Sequence, residues 1–323
     1  MGKETEIAWC THTFNPWWGC ARVSPGCEHC YAESFAKRTG HGVWGTTSPR
    51  RFFKDKHWKE PVKWDEEAKA AGERRRVFCA SMSDVFEDRD DLLESRARLT
   101  TLVAATPHLD WLILTKRPQH ARRLWTIACG DGQGRCVCGA HGSSKLHFDI
   151  ASATGHWASN LWLGTTTEDQ QRADERIPHL LAAPALVRFL SAEPLLGPVD
   201  IGAYLPDAGL RSRTSGEWKQ APAVDWVIVG GESGPGARTM EIGWARAIVE
   251  QCSAHRTACF VKQLGHRPIA RSRFDMSDEQ FKGADDHGWT EHAGPVTLLL
   301  KHPKGGDPAE WPIELRLRQF PIR

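Results

Sequence analysis

Three cysteines near the N-terminus carry the strongest chemical signal in this 323-residue chain. Cys20, Cys27 and Cys30 stand in the segment TFNPWWGCARVSPGCEHCYAESFAKR, spaced C-x6-C-x2-C. Gly19 and Gly26 precede the first two and Pro25 sets a turn, so the backbone can curl tightly enough to aim three sulfurs at one point. The count of thiolates matters. A cubane iron–sulfur cluster held by three cysteines keeps one iron open to a substrate or cosubstrate. A structural zinc wants a fourth ligand, which His29, Cys10 or His12 could supply. Spacing alone leaves both metals open, and the three-ligand count points toward iron–sulfur.

A second group, Cys129, Cys136, Cys138 and His141, is spaced C-x6-C-x-C-x2-H, with His147 nearby. It can close around zinc or hold an auxiliary cluster. Its surroundings, residues 125–159, are rich in Gly, Ser, Cys and His and read as an insertion with little core, where a metal can replace hydrophobic burial. A disordered thiol-rich loop is the alternative. Cys79, Cys252 and Cys259 fall inside apolar patterns and read as core residues.

The elements that must position these groups follow a repeating unit of short apolar run, polar or Gly-rich tail, then helical stretch. The units begin at RVFCASMSDVFED (76–88), DWLILTKRPQHARRL (110–124), NLWLGTTTEDQQRADERI (160–177), VRFLSAEPLLGPVDI (187–201) and VDWVIVGGESGPGARTM (224–240), with ACFVKQLG (258–265) a sixth. Each run has the length and β-branched or aromatic content of a buried parallel strand. Residues 91–106 and 240–255 show apolar positions at helical spacing. Alternating strands and helices imply an α/β fold with right-handed crossovers. This number of units favours a partial or full (β/α) barrel over a doubly wound sheet, although periodicity cannot separate the two. The expected organisation is a barrel over 1–265, interrupted by the 125–159 insertion. A C-terminal extension over 266–323 would pack on it, and 202–223 reads as a surface loop.

Polar residues collect just past the runs: Ser81, Ser83 and Asp84; Thr115, Lys116 and Arg117; Thr165, Thr167 and Glu168; Ser191 and Glu193; Glu232 and Ser233; Lys262 and Gln263. In barrels the C-terminal strand ends face the active site, so this is the pattern of a catalytic mouth. Helix N-caps and wet strand ends give the bland alternative. The loop GGESGPGAR (230–238), with Gly230, Gly231 and Glu232, offers backbone N–H groups as an anion cradle, or is simply a tight turn.

Composition is that of a soluble globular protein, with 40% hydrophobic and 25% charged residues. The 42 basic and 40 acidic residues leave a net +2, so any polyanionic partner must be met by a local patch. No stretch approaches a bilayer span and the charged N-terminus lacks an apolar signal core, which predicts a cytoplasmic protein without a membrane partner. In that compartment ten cysteines are not a disulfide framework. The fifteen tryptophans read as core and rim packing.

The stretch from Asn15 to Glu33, NPWWGC…SPGCEHCYAE, resembles a family of phage-encoded and bacterial proteins with a three-cysteine motif. The likeness continues through SMSDVFED, LTKRP, LWLGTTTEDQ, FLSAEPLLGPV, VIVGGESGPGAR, FVKQLG and KGGDPAEWP. That family is treated as a relative of radical S-adenosylmethionine enzymes, with spore photoproduct lyase a distant neighbour. The usual motif there is C-x3-C-x2-C with an aromatic before the last cysteine. Here the first gap is six and His29 takes the aromatic's place.

The resemblance implies a barrel of the radical S-adenosylmethionine type and a [4Fe-4S] cluster on Cys20, Cys27 and Cys30. It implies S-adenosylmethionine as cosubstrate, an electron-donor protein, and a 5′-deoxyadenosyl radical that modifies or repairs a nucleic acid or nucleotide. Ser81, Ser83, Asp84, Thr165, Thr167, Glu168, Ser191, Glu193, Gly230, Gly231 and Glu232 become the expected cosubstrate contacts. The competing reading is a non-catalytic iron–sulfur or zinc-stabilised nucleic-acid-binding module. A zinc hydrolase finds no H-E-x-x-H motif in the chain.

Overall fold

The apolar runs form strands and the amphipathic stretches form helices in the computed structural model, which describes residues 5, 7–129, 157–206, 222–234, 236–276 and 294–322. In chain order the strands are β1 His12–Thr13, β2 Trp17–Trp18, β3 Arg51–Phe52, β4 Arg75–Cys79, β5 Leu109–Thr115 and β6 Leu161–Thr166. They continue as β7 Val187–Ala192, β8 Trp226–Gly230, β9 Met240–Glu241, β10 Ala258–Gln263, β11 Pro268–Ala270 and β12 Val296–Thr297. The helices are α1 Tyr31–Arg38, α2 Asp55–Trp58, α3 Glu60–Ala71, α4 Leu93–Ala105, α5 Pro118–Cys129, α6 Gln170–Leu181 and α7 Ile242–Ala254.

Seven strands make a parallel sheet in the order β1-β4-β5-β6-β7-β8-β10. The order follows the chain without reversal. A doubly wound sheet reverses at a switch point, so this is the strand order of a partial (β/α) barrel. All six runs singled out in the sequence become strands of this sheet. The seventh, β1, is only two residues long, too short for any periodicity. It pairs His12 with Val77 and Thr13 with Phe78.

The chain divides into two compact units. The first comprises Met1–Thr165 and Pro178–Arg188. Its core includes the fully buried Phe14, Trp17, Phe86, Leu99, Trp111 and Trp125. Trp111 lies on β5 and donates its indole N–H to Thr106 at 2.9 Å, which satisfies the one polar atom that its burial would orphan. Helix α5 runs through Cys129, five residues into the stretch read as an insertion. Trp125 and Trp157, at the two ends of that stretch, pack with ring centroids 5.7 Å apart. Cys136, Cys138 and His141 lie outside the described residues, as does the side chain of Cys129.

The second unit comprises Thr166–Ile177 and Phe189–Arg323. Phe189, Trp226, Phe260 and Trp311 are its large buried side chains. The chain after β10 forms β11, which pairs in parallel with β9 and antiparallel with β12. Its last residues run along the free edge of β10: Val261 N–H donates to Leu317 O at 2.9 Å and Gln319 N–H to Cys259 O at 3.0 Å. Covering that edge removes an open row of donors and acceptors from the surface. Cys79 in the first unit and Cys252 and Cys259 in the second are buried free thiols, as core residues should be. No helix among the described residues is long and apolar enough to cross a membrane.

Candidate functional site

The cysteine loop leaves β1 through Asn15, a fully buried side chain that ties it to the turn after β4. Asn15 Nδ2 donates to Ser81 Oγ at 3.1 Å and Asn15 Oδ1 accepts from Met82 N–H at 2.6 Å. Gly19 N–H then donates to Met82 O at 3.0 Å. Gly19 has φ +116°, and a Cβ there would sit 2.4 Å from Val43 O and 2.7 Å from Arg50 Cδ. Only glycine fits, immediately before Cys20. A Gly19→Ala variant should lose about 2–4 kcal/mol through left-handed strain and overpacking. A shift of the urea midpoint at constant slope reads that loss, and an unchanged midpoint contradicts it.

Beyond Cys20 the chain makes one 3-10 turn, Pro25–Cys27, and Cys30 then caps the N-terminus of α1. Glu33, in the first turn of α1, is held by Arg22 at 2.8 Å and Lys37 at 2.7 Å. Burial opposes its ionisation, but those two hydrogen-bonded cations win and hold its carboxyl below the usual range. Tyr31 OH donates to Ser81 O at 2.9 Å, a second tie between this helix and the turn after β4.

Two buried ion pairs frame the loop. Arg50 Nε and Nη2 grip both oxygens of Glu87 at 3.0 and 2.6 Å. The remaining guanidinium donors go to Val43 O, Ser48 O and Gly45 O, all within 3.0 Å. Gly45 N–H in turn donates to Cys20 O at 2.9 Å. Arg50 thus folds the 43–48 loop against the backbone of Cys20.

The second pair joins Asp84 to Arg117 at 2.9 Å. Arg117 also donates to Ala21 O at 2.8 Å and approaches Cys20 Sγ at 3.5 Å. The Asp84 carboxylate accepts three further bonds, from Thr115 Oγ1 at 2.7 Å and from the amides of Lys116 and Phe86 at 3.0 Å. Burial pushes the Asp84 pKa up, but Arg117 and these hydrogen bonds outweigh it and leave the group below the ordinary range. Asp84, expected among the cosubstrate contacts, is therefore occupied within the protein and orients Arg117. The resemblance gave no hint of Arg117 at Cys20, since its sulfur contact spans about a hundred residues of chain.

Burial pushes the Cys20 thiol up to about 12, against the nearby Arg117 charge. Cys30 is also raised by burial, opposed by the amides of Glu33 and Ala32 and by Lys116. In the metal-free chain this burial keeps Cys20 a neutral thiol at pH 8. Iodoacetamide mapping by mass spectrometry at that pH should leave Cys20 unmodified while the chain stays folded. Rapid labelling of Cys20 would contradict this environment.

Among the described residues, no three His, Cys, Asp or Glu side chains stand as a ready-made metal-binding group. His12, one conceivable fourth ligand, is buried and stacked on Trp64 with centroids 4.4 Å apart. Ser83, like Ser81, belongs to this unit, and its hydroxyl is buried without a hydrogen-bond partner. Thr165 donates to Thr115 O at 2.9 Å.

The other expected contacts belong to the second unit. Glu168 is fully buried and paired with Arg176 at 2.7 Å. Ser191 O accepts from Thr167 N–H at 3.0 Å, and the Thr167 hydroxyl is buried without a partner. Glu193 is held by Lys262 at 2.6 Å and Gln263 at 3.2 Å. In the loop expected as an anion cradle, Glu232 is held by Arg238. Arg238 binds both oxygens of Glu232, at 2.6 Å and 3.0 Å, and its N–H adds a third bond at 2.8 Å. Gly231 is needed for close approach, since a Cβ there would lie 2.3 Å from Leu264 O, whereas one at Gly230 would meet the Glu193 side chain at 3.3 Å.

Neither the curated proteins nor the solved structures contain a match to this chain. One family model, described as a protein of unknown function (DUF5131), matches residues 4–291. That span takes in the cysteine loop, both ion pairs around it and all seven strands of the parallel sheet, and the chain belongs to this family.

Proposed function

We propose that the protein is a radical S-adenosylmethionine enzyme in which Cys20, Cys27 and Cys30 ligate a [4Fe-4S] cluster, with a nucleic acid or nucleotide as substrate. The observation that carries the reading is the surroundings of a loop with three thiols, set between the first strand of a parallel sheet and α1. Arg117 stands at the Cys20 sulfur and the Lys116 charge acts on Cys30. The donor set fits the group in kind and number: three thiols, with cations beside two of them to offset thiolate charge. Binding would have to draw the three sulfurs together and to expel the protons that burial holds on Cys20 and Cys30.

The chemistry such a cluster supplies when bound is one-electron cleavage of S-adenosylmethionine, giving methionine and a 5′-deoxyadenosyl radical that takes hydrogen from substrate. The chain's own part is placement and exclusion of water. Asn15 and Gly19 fix where the loop starts, Arg50 braces its outer side, and Asp84 aims Arg117 at Cys20. Ser81 and Ser83 follow β4 and are the nearest expected contacts for the cosubstrate. Thr165, Thr167, Glu168, Ser191, Glu193, Gly230, Gly231 and Glu232 remain candidates on this reading. An electron-donor protein would supply the reducing electron.

The test is reductive release of 5′-deoxyadenosine from S-adenosylmethionine by anaerobically purified protein. Release that disappears in Cys30→Ala supports the reading. An intact cluster without release rejects the radical chemistry and leaves the non-catalytic cluster-bearing module.

A further inference from the structure

We infer that the surface formed by residues 34–59, beside the cysteine loop, binds a single-stranded nucleic acid. The inference deepens the nucleic-acid half of the reading above and needs no cluster. The whole-chain charge of +2 hides a strong local excess: between Ser34 and Lys59 there are seven Lys and Arg against one carboxylate, Asp55, a local net of +6. Asp55 is itself paired with Arg98 at 2.7 Å. Arg50 is spent on Glu87 and Lys37 on Glu33, so the other five cations supply the surface, and Arg38, Lys54, Lys56 and Lys59 are exposed with no carboxylate partner among the described residues.

Aromatic rings lie between these cations as one connected ladder. Arg38 sits over the Phe35 ring at 5.6 Å, and Phe35 meets Trp18 at 5.8 Å. Arg51 lies over both Trp18 and Phe53, at 4.5 and 5.2 Å. Phe53 continues to His57 at 4.3 Å. Phe35 and Phe52 are exposed at 37% and 46%, which leaves ring surface for a ligand to cover. Trp18 precedes Cys20 by two residues and α1 starts at the residue after Cys30, so the ladder adjoins the cysteine loop along the chain.

A polyanion with flat π faces matches this arrangement: phosphates meet Lys and Arg, while unpaired bases stack on aromatic rings and guanidinium planes. An anionic membrane would satisfy the cations, but the aromatics here are interleaved with cations and do not form one apolar helix face. Duplex DNA would meet the cations and leave the rings unused.

The test is fluorescence anisotropy of labelled single-stranded DNA and RNA 20-mers with the full-length protein, across a salt series. Binding should weaken with salt by a log–log slope of roughly −0.7 per phosphate contacted. Arg38→Ala/Lys54→Ala/Lys56→Ala should weaken binding at least ~10-fold and flatten the slope. Phe35→Ala should weaken it with the slope unchanged, because stacking releases no counterions. The control Lys301→Ala/Lys304→Ala, exposed in the other unit, should bind as wild type. Chelator-treated, metal-free protein should also bind as the untreated protein does, which separates failure of this inference from failure of the cluster reading. No binding to single strands at low salt would overturn the inference. So would equal losses in the control, a preference for duplex, or binding to phosphatidylserine vesicles in place of nucleic acid.

Discussion

Replacing Arg50 by alanine should destabilise the first unit by about 3–5 kcal/mol, because it leaves Glu87 buried as an unpaired charge. The Arg50 side chain is fully buried and all its donors are engaged, two on Glu87 and three on backbone carbonyls of the 43–48 loop. Those carbonyls also lose their partners, which adds to the cost. Lysine should rescue little. Its compact ammonium cannot reproduce the planar fork that reaches both oxygens of Glu87 and three carbonyls at once. In the double variant Arg50→Met/Glu87→Leu the charge penalty disappears, and most of the stability should return. The 43–48 loop should stay loose all the same, since nothing then draws Val43 O and Gly45 O together. Urea titration reads the first effect. Proteolysis within 43–48 reads the second, and a single variant within about 1 kcal/mol of wild type would contradict the account.

Arg117→Met should have an effect of similar size, with a signature in pH. In the wild type the folded Asp84 pKa lies below its unfolded value. Its contribution to stability is therefore present above about pH 4 and lost as pH falls through the folded pKa. Without Arg117 burial of the carboxylate is opposed by its three hydrogen bonds alone, and we expect burial to win and the folded pKa to move above the unfolded one. The sign then inverts: the variant gains stability as pH falls and Asp84 takes up a proton. At pH 7 the variant should be about 3–5 kcal/mol less stable than wild type, and the gap should narrow steadily toward pH 4. A gap that stays constant over this range would mean that Asp84 is not the group Arg117 compensates. The same variant should lose iron on anaerobic purification, because Arg117 also holds Ala21 O and approaches Cys20 Sγ.

The sheet was legible because its strands are long apolar runs with polar ends. LDWLILT and WVIVG announce buried parallel strands from composition alone. Strand β1 was not, because two residues carry no period, and its place is fixed by pairing with β4 sixty residues on. The cysteine loop could be read from spacing and glycine, but its support could not. Arg50–Glu87 and Asp84–Arg117 are contacts between residues more than thirty positions apart, and neither pair differs by type from ordinary surface charge. The Gly-rich 230–238 loop shows the reverse problem. Its glycines suggested an anion cradle, while Glu232 within the same motif takes up the Arg238 guanidinium. The basic, aromatic segment at 34–59 was masked by averaging over a chain with nearly equal charges.

The most direct test of the central claim is the iron, sulfide and zinc content of anaerobically purified protein, read beside its visible spectrum. The account predicts brown protein with broad absorbance near ~400 nm, about four iron and four sulfide per chain, and loss of all three in Cys30→Ala. Colourless protein with stoichiometric zinc bound at the same cysteines would contradict it.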